Sequence, residues 1–267
     1  MLRNIKIGTP VWHTDFEEYV TAKQQLFRWQ RPEDTAIYFA ADENSQKVVS
    51  VSAGKKIPYF KEPGAFVENE KIVINGQNIA NVSDIKLLGK HNWQNVCAAI
   101  TAVWQVTQDI NTIRSVVTSF SGMEYRLELI RELNGVKYYN DSFGTTPETA
   151  IVAIEAFKEP KVLILGGSDK GADFAELAET IKNNDVRYAI IIGTTGPKIA
   201  EALDKAGATV PCSVHDATTM PDIVALAQQK AESGDIVLLS TGCASFGLFK
   251  NYKDRGDQFN QAVRSLS

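Results

Sequence analysis

At 267 residues the chain has room for one large domain or two ordinary ones. Its 44% apolar and 22% charged content is that of a globular protein with real cores, and a formal charge of -4 leaves no basic footprint for nucleic acid. A short anionic ligand held by one or two local cations is still compatible with that charge. No apolar run reaches the ~18 residues of a membrane span. The opening Met1-Leu2-Arg3-Asn4-Ile5-Lys6 lacks the long apolar region of a signal peptide, so no membrane and a cytoplasmic location are expected. Cys97, Cys212 and Cys243 are odd in number and widely separated, which suits neither a disulfide framework nor a CxxC-type metal site.

Taken in order, residues 16–29 read as an amphipathic helix with Phe16, Tyr19, Val20, Leu26 and Phe27 near helical spacing. Thr14 followed by Glu17 has the form of a capping box. Residues 35–40 read as an apolar strand that stops in Ala41-Asp42-Glu43-Asn44. From 48 to 88 several short β runs, separated by turn signals such as Asn75-Gly76, predict a small and largely antiparallel region. Residues 91–107 predict a helix whose close-packing face is Asn95, Ala98, Ala99, Ala102 and Val103, with Cys97 in the core. Asp109 caps a second helix that runs to about Phe120. Ser121-Gly122 breaks the pattern, and a domain boundary is expected there: 1–121 and 122–267.

Beyond the break, strands at 125–133 and 136–140 are joined by Asn134-Gly135, a strong hairpin signal. Strand and helix then alternate: helix 147–157, strand 161–165, helix 174–183, strand 188–192, helix 197–206, strand 209–214, helix 220–231, strand 236–239 and a final helix from about 247. Such alternation predicts βαβ units and a mainly parallel, helix-covered sheet of Rossmann-like α/β type. Ligands in these sheets sit beyond the carboxyl ends of the strands. There Asp141, Ser142, Thr145 and Thr146 offer oxygens, and Lys170 offers a cation.

Each of these groups has a plain reading beside the functional one. Gly166 and Gly171 have GxxxxG spacing, but Ala172-Asp173 follows instead of Lys-Ser/Thr, so no P-loop is complete, and no GxGxxG fingerprint is present. Lys170 either pairs a substrate carboxylate or phosphate or is a solvated loop lysine. Asp141 either bonds a ribose hydroxyl or caps the next helix. Ser245 either belongs to an anion site at a helix start or is an ordinary N-cap. Asn92 and Asn95, three residues apart, share a helix face that fits an adenine edge, although capping would account for one of them. Lys23 on the first helix reads as a surface lysine, and Cys243, with no histidine near it in sequence, is a weak nucleophile candidate.

Taken together these residues resemble the Mur ligase family, in particular its members that add D-glutamate to UDP-N-acetylmuramoyl-L-alanine. Asp15 to Lys23 is similar to the central-domain helix whose lysine is carbamylated and assists Mg2+. Gly89-Lys90-His91-Asn92-Trp93-Gln94-Asn95 resembles the adenine-contacting motif. Tyr125-Arg126-Leu127-Glu128 and Asn140-Asp141-Ser142 resemble segments that touch the nucleotide. Residues 166–174 and 244–256 resemble the loops that hold the incoming amino acid.

The resemblance implies an ATP-dependent peptidoglycan-synthesis ligase that works through an acyl phosphate and a tetrahedral intermediate. Lys23 would be catalytic, Asn92 and Asn95 would contact adenine, and Arg126 and Asp141 would meet ribose and phosphates. Thr145, Lys170, Ser245, Phe246 and Tyr252 would frame D-glutamate. The fold implied is a partial central ATP-binding domain (1–121, without its P-loop) followed by a Rossmann-like amino-acid-binding domain (122–267).

Departures accompany the match. The family's first domain and P-loop have no counterpart, as if the chain began partway through the central domain. Thr9-Pro10-Val11-Trp12-His13 keeps one His of a metal-side segment, Phe143 stands where the family has lysine, and Tyr125 replaces a histidine. No metal ligands are assigned. The isolated chain is expected to bind D-glutamate without turnover, and apolar surface is expected on the shortened first domain. The alternatives are a non-catalytic ligase-derived binding protein and a sister ligase of folylpolyglutamate synthase type.

Overall fold

The structure, a computed structural model, describes residues 13, 15–169, 171–215 and 219–267. Thr9, Val11, Thr14 and Lys170 therefore lie outside the described residues. Two compact units divide the chain, residues 1–121 and 122–267.

In the first unit, α1 (Phe16–Arg28) is capped by Asp15, whose carboxylate accepts from the Glu18 amide at 2.8 Å. Val20 and Phe27, two turns apart, bury against Ala36, Val48 and Val49. Leu26 lies about 100° around the helix from Phe27 and is 63% exposed, so it leaves the expected apolar face. After β1 (Thr35–Phe39), the expected polar stop is instead a helix start. Asp42 accepts from the Asn44 amide and caps α2 (Glu43–Val49), which buries Val48 and Val49. That helix is a crossover, so β2 (Lys55–Tyr59) pairs parallel to β1 rather than antiparallel. The antiparallel expectation holds for β3 (Phe66–Glu68), β4 (Lys71–Ile74) and β5 (Gln77–Asn81). The β4–β5 turn is Asn75-Gly76, both with positive φ (48° and 72°), as a two-residue hairpin loop requires.

Helix α3 (His91–Val103) packs Val96, Cys97 and Ile100 on Ile72, Ile74 and Ile79. Ala98 meets Phe39 and Tyr59. The expected face is thus rotated, with Ala99, Ala102 and Val103 turned outward. Asp109 caps α4 (Ile110–Ser119) through the Asn111 and Thr112 amides, at 3.0 and 3.3 Å. Trp29 and Val106 are exposed apolar residues of this unit.

The second unit is one six-stranded sheet built from β6 (Glu128–Leu133), β7 (Val136–Asn140), β8 (Lys161–Gly166), β9 (Val186–Ile192), β10 (Cys212–His215) and β11 (Ile236–Leu239). Its order is β10-β9-β8-β11-β7-β6, and only the β6–β7 pair is antiparallel. Asn134 and Gly135 form the hairpin turn with φ of 53° and 78°. Strand β6 starts later than expected, because Tyr125 and Leu127 adopt positive φ (61° and 46°). Residues α5 (Pro147–Glu155), α6 (Ala175–Asn183) and α7 (Gly196–Ala206) pack in series. Helices α8 (Met220–Lys230) and α9 (Tyr252–Ser265) pair with each other and cover Val162, Ile164, Ile190, Val237 and Leu239. The alternate residues Leu163, Leu165, Ile191 and Leu238 are equally buried, so both sheet faces are covered and every residue of β8 is interior. The last helix begins at Tyr252, capped by Asn251, and not near Gly247.

At the end of β8, Gly166 has φ +99°, and a Cβ there would lie 2.2 Å from the Ile192 carbonyl oxygen. Gly166→Ala is expected to cost about 2 kcal/mol or more of local stability, read as faster hydrogen exchange of the β8 amides in the intact chain. Unchanged exchange would contradict the packing described.

Candidate functional site

The chain passes from β7 to β8, moves outward through β9 and β10, and returns to place β11 between β8 and β7. The connectivity reverses at β8 and β11, which opens a crevice beyond their carboxyl ends. Three loops meet there: 141–146 after β7, the described residues 167–169 and 171–174 after β8, and 240–251 after β11.

A buried arginine ties these loops together. Arg255, in the first turn of α9, is 0% exposed. Its Nε donates to the Ser142 hydroxyl at 2.9 Å, Nη2 to the Ser142 carbonyl at 2.8 Å and Nη1 to the Cys243 carbonyl at 3.1 Å. Burial lowers its pKa to about 10, against the pull of Cys243 and Asp141, which leaves it cationic at neutral pH. Ser142 in turn donates to the Tyr252 carbonyl at 2.7 Å. Asn140 donates to the Gly256 carbonyl at 3.1 Å and to Asn260 at 2.7 Å, and it accepts from the Ser142 amide at 2.9 Å. The start of α9 is thereby fixed to the end of β7.

Asp141 sits against this network. Its carboxylate accepts from the Ser240 hydroxyl at 2.8 Å and the Leu127 amide at 3.3 Å. Burial raises its pKa to about 6, with Ser240, Leu127, Arg126 and Arg255 opposing the rise. It does not cap α5, whose N-cap is Thr146.

In the β8 loop, the Gly167 amide donates to the Thr195 hydroxyl at 3.0 Å, and the Ser168 amide donates to the Ala244 carbonyl at 2.9 Å. Asp169 accepts from the Gly171 amide at 2.8 Å and pairs with Lys198 of α7. Cys243 is buried beside Thr195, at 3.5 Å, and burial pushes its thiol up, away from nucleophilic use.

Among the anticipated ligand residues, Thr145 is half-buried in the first loop and Ser245 is buried in the third. Ser245 is neither N-cap nor helix start, since Asn251 caps α9; its carbonyl accepts from the Phe249 amide at 3.0 Å. Phe246 is 58% exposed. Tyr252 meets Phe143 edge-on at 5.1 Å between ring centroids, and exposed Arg126 lies over the other ring at 5.4 Å. In the first unit, Asn92 donates to the Leu88 carbonyl at 2.6 Å and accepts from the Asn95 side-chain amide at 2.6 Å. Neither amide caps α3. Lys23 is exposed on α1 with its ammonium 5.2 Å from the Tyr19 ring centroid.

Arg255 and Ser240 were the residues missed. Arg255 stands in a run quoted for its resemblance, but nothing in local pattern separates a buried arginine from a surface one. Among the described residues, no three His, Cys, Asp or Glu side chains gather as a metal site, and no helix is long and apolar enough to cross a membrane.

The second unit is an α/β domain of the kind that binds small molecules beyond its parallel strands. Residues 125–243 match the family model described as Mur ligase, glutamate ligase domain, and residues 12–103 match the Mur ligase middle domain. The chain belongs to the Mur ligase family. It is 40% identical to the UDP-N-acetylmuramoylalanine–D-glutamate ligase of Natranaerobius thermophilus, over 100% of this chain and 59% of that protein. The chain therefore spans less than two thirds of the length of the curated relatives it matches. Among solved structures, a UDP-N-acetylmuramoylalanyl-D-glutamyl-2,6-diaminopimelate–D-alanyl-D-alanyl ligase from Acinetobacter baumannii superimposes with a TM-score of 0.69 at 12% identity, covering 94% of this chain and 55% of that one. A MurF ligase from Thermotoga maritima in complex with ADP gives 0.62 at 15%, covering 94% and 58%.

Two expectations test the network. Arg255→Met leaves the Ser142 and Cys243 carbonyls without their donor and is expected to destabilise the second unit by roughly 2–4 kcal/mol, read by thermal melting followed by tyrosine absorbance. Because Asp141 binds its proton more tightly folded than unfolded, its contribution to stability is fully present below pH 3.8 and is lost as pH rises through about 6. Asp141→Asn should flatten that fall in stability between pH 4 and 6; an unaltered slope would show that the carboxyl is not the group responsible.

Proposed function

We propose that this chain is the amino-acid-binding part, with a share of the nucleotide-binding part, of an ATP-dependent ligase that adds D-glutamate to UDP-N-acetylmuramoyl-L-alanine in peptidoglycan synthesis. Residues 1–121 are read as a partial central ATP-binding domain without a P-loop, and 122–267 as the amino-acid-binding domain. The observation that carries the reading is 40% identity along the whole chain to a relative named for that ligation. The strand-end loops support it, since they carry the Thr145 and Ser245 hydroxyls above a buried arginine.

In the complete enzyme, bound ATP would supply the γ-phosphoryl group that activates the substrate carboxyl group as an acyl phosphate, with ADP as the leaving group. By the family resemblance, Asn92 and Asn95 of the first unit would serve adenine; for the second unit the same resemblance assigns Arg126 and Asp141 to ribose and phosphates. Thr145, Lys170 and Ser245 bind the carboxylates of D-glutamate, while Phe246 and Tyr252 wall the pocket and aim its amine at the acyl carbon. Lys23 belongs to the catalytic side of the first unit. Mg2+ would neutralise charge at the phosphates, but the described donor set does not form a site for it.

Titration of the 267-residue chain with D-glutamate, L-lysine and meso-diaminopimelate tests the substrate class. Weak binding of D-glutamate alone is expected, and Ser245→Ala or Thr145→Ala should weaken it roughly tenfold, as loss of a hydrogen bond to a charged group does. No phosphate release is expected from ATP with these residues alone, because their sequence holds no complete P-loop to cradle the β- and γ-phosphates. Preference for L-lysine or meso-diaminopimelate would overturn the substrate, and steady ligation by the chain would overturn its assignment as a part.

A further inference from the structure

The loops around the crevice carry an aromatic group where the family resemblance places a lysine. Phe143 follows Ser142 and is 44% exposed. One ring, Tyr252, meets it edge-on with an interplanar angle of 90° and a centroid separation of 5.1 Å. The guanidinium carbon of Arg126 lies 5.4 Å from the Phe143 centroid, within the range where a ring face attracts a cation. Backbone geometry sets this approach. The Phe143 amide donates to the Tyr125 carbonyl at 3.0 Å, so the segment bearing Arg126 is tied directly to the segment bearing the ring. Behind it, Tyr252 is held by its carbonyl, which accepts from Ser142, and Tyr125 is held by a hydroxyl that donates to Asp257 at 2.7 Å. Tyr125 and Tyr252 also meet edge-on at 6.1 Å. Phe143 is therefore a braced ring beneath an exposed guanidinium.

An exposed arginine spreads over many rotamers, and holding one of them costs side-chain entropy that a bound anion would otherwise have to offset. A ring face beneath the guanidinium removes part of that cost before any ligand arrives. It also leaves the N–H edges of the guanidinium free to point sideways at phosphate oxygens, because stacking uses the face and not the donors.

We propose that Phe143 is a positioning residue for Arg126: it stacks under the guanidinium and presents it, pre-oriented, to a polyphosphate at the strand-end crevice. The ligand half rests on the reading of Arg126 as a nucleotide-phosphate contact. The stack itself is independent of that reading. In this chain the residue beside the crevice acts on an anion through arginine instead of contributing a second cation.

The test uses the intact chain and two readouts. Ring-current shielding should move the Arg126 side-chain NMR resonances upfield. Phe143→Leu should return them to ordinary positions, and Phe143→Trp should keep them shifted. ADP and inorganic tripolyphosphate are then titrated against the parent chain, Phe143→Leu, Phe143→Trp and Arg126→Ala, and against the double variant. Phe143→Leu is expected to weaken both ligands roughly two- to fivefold, the worth of one exposed cation–π contact. Phe143→Trp should restore the affinity, and the Leu change should add nothing once Arg126 is Ala. Arg126 resonances that do not respond to Phe143→Leu would overturn the proposal, as would equal losses from Phe143→Leu with and without Arg126. If the parent chain binds neither ligand, the nucleotide reading fails, and the resonances alone decide whether the stack exists.

Discussion

The candidate site depends on one buried charge. Arg255 takes a full guanidinium out of water and receives in return a hydroxyl and two backbone carbonyls, from Ser142 and Cys243. A charge that is desolvated in this way is tolerated only where its donors are met. The two partner residues lie on loops that follow different strands. Satisfying one side chain therefore fixes where β7 and β11 deliver their loops, and it anchors α9 beneath them. Asp141 feels the same arrangement: it is buried, accepts from Ser240 and Leu127, and is drawn toward ionisation by Arg126 and Arg255. Thr145, half-buried, and Ser245, buried, lie on the two loops that this charge ties together.

The parallel sheet supplies the rest. Because β11 returns to the gap between β8 and β7, the loops that follow all three strands open on the same edge. The Ser168 amide closes the remaining link by donating to Ala244. The links between the β7 loop and α9 are distant in sequence, with Arg255 and Ser142 113 positions apart. In this chain the site is placed through topology, and Phe143 lies on the outside of that frame, 44% exposed.

Much of this was legible in the sequence, and the reasons differ by element. The alternation of strand and helix after Gly122 is a strong signal, as are Asn75-Gly76 and Asn134-Gly135, because positive φ at two successive turn positions narrows the residue choice. The α/β fold and the parallel sheet followed from these. Helix α2 was hidden because seven residues span barely two turns, and Ala41-Asp42-Glu43-Asn44 reads equally as a loop or as a cap. With that helix unseen, the parallel pairing of β1 and β2 could not be anticipated. The α3 face was misjudged because small residues surround that helix, and only the positions of Ile72, Ile74 and Ile79 choose the buried side. Arg255 was invisible for the reason that makes it central: its partners are distant, and burial is a property of the assembled sheet.

The most direct measurement is a crystal structure of the chain grown with D-glutamate. The ligand is expected beyond the carboxyl ends of β7, β8 and β11, with its carboxylates within hydrogen-bond reach of the Thr145 and Ser245 hydroxyls and Arg255 buried beneath, still bound to Ser142 and Cys243. D-glutamate seated elsewhere on the second unit, or a crevice in which those hydroxyls point away from it, would contradict the account.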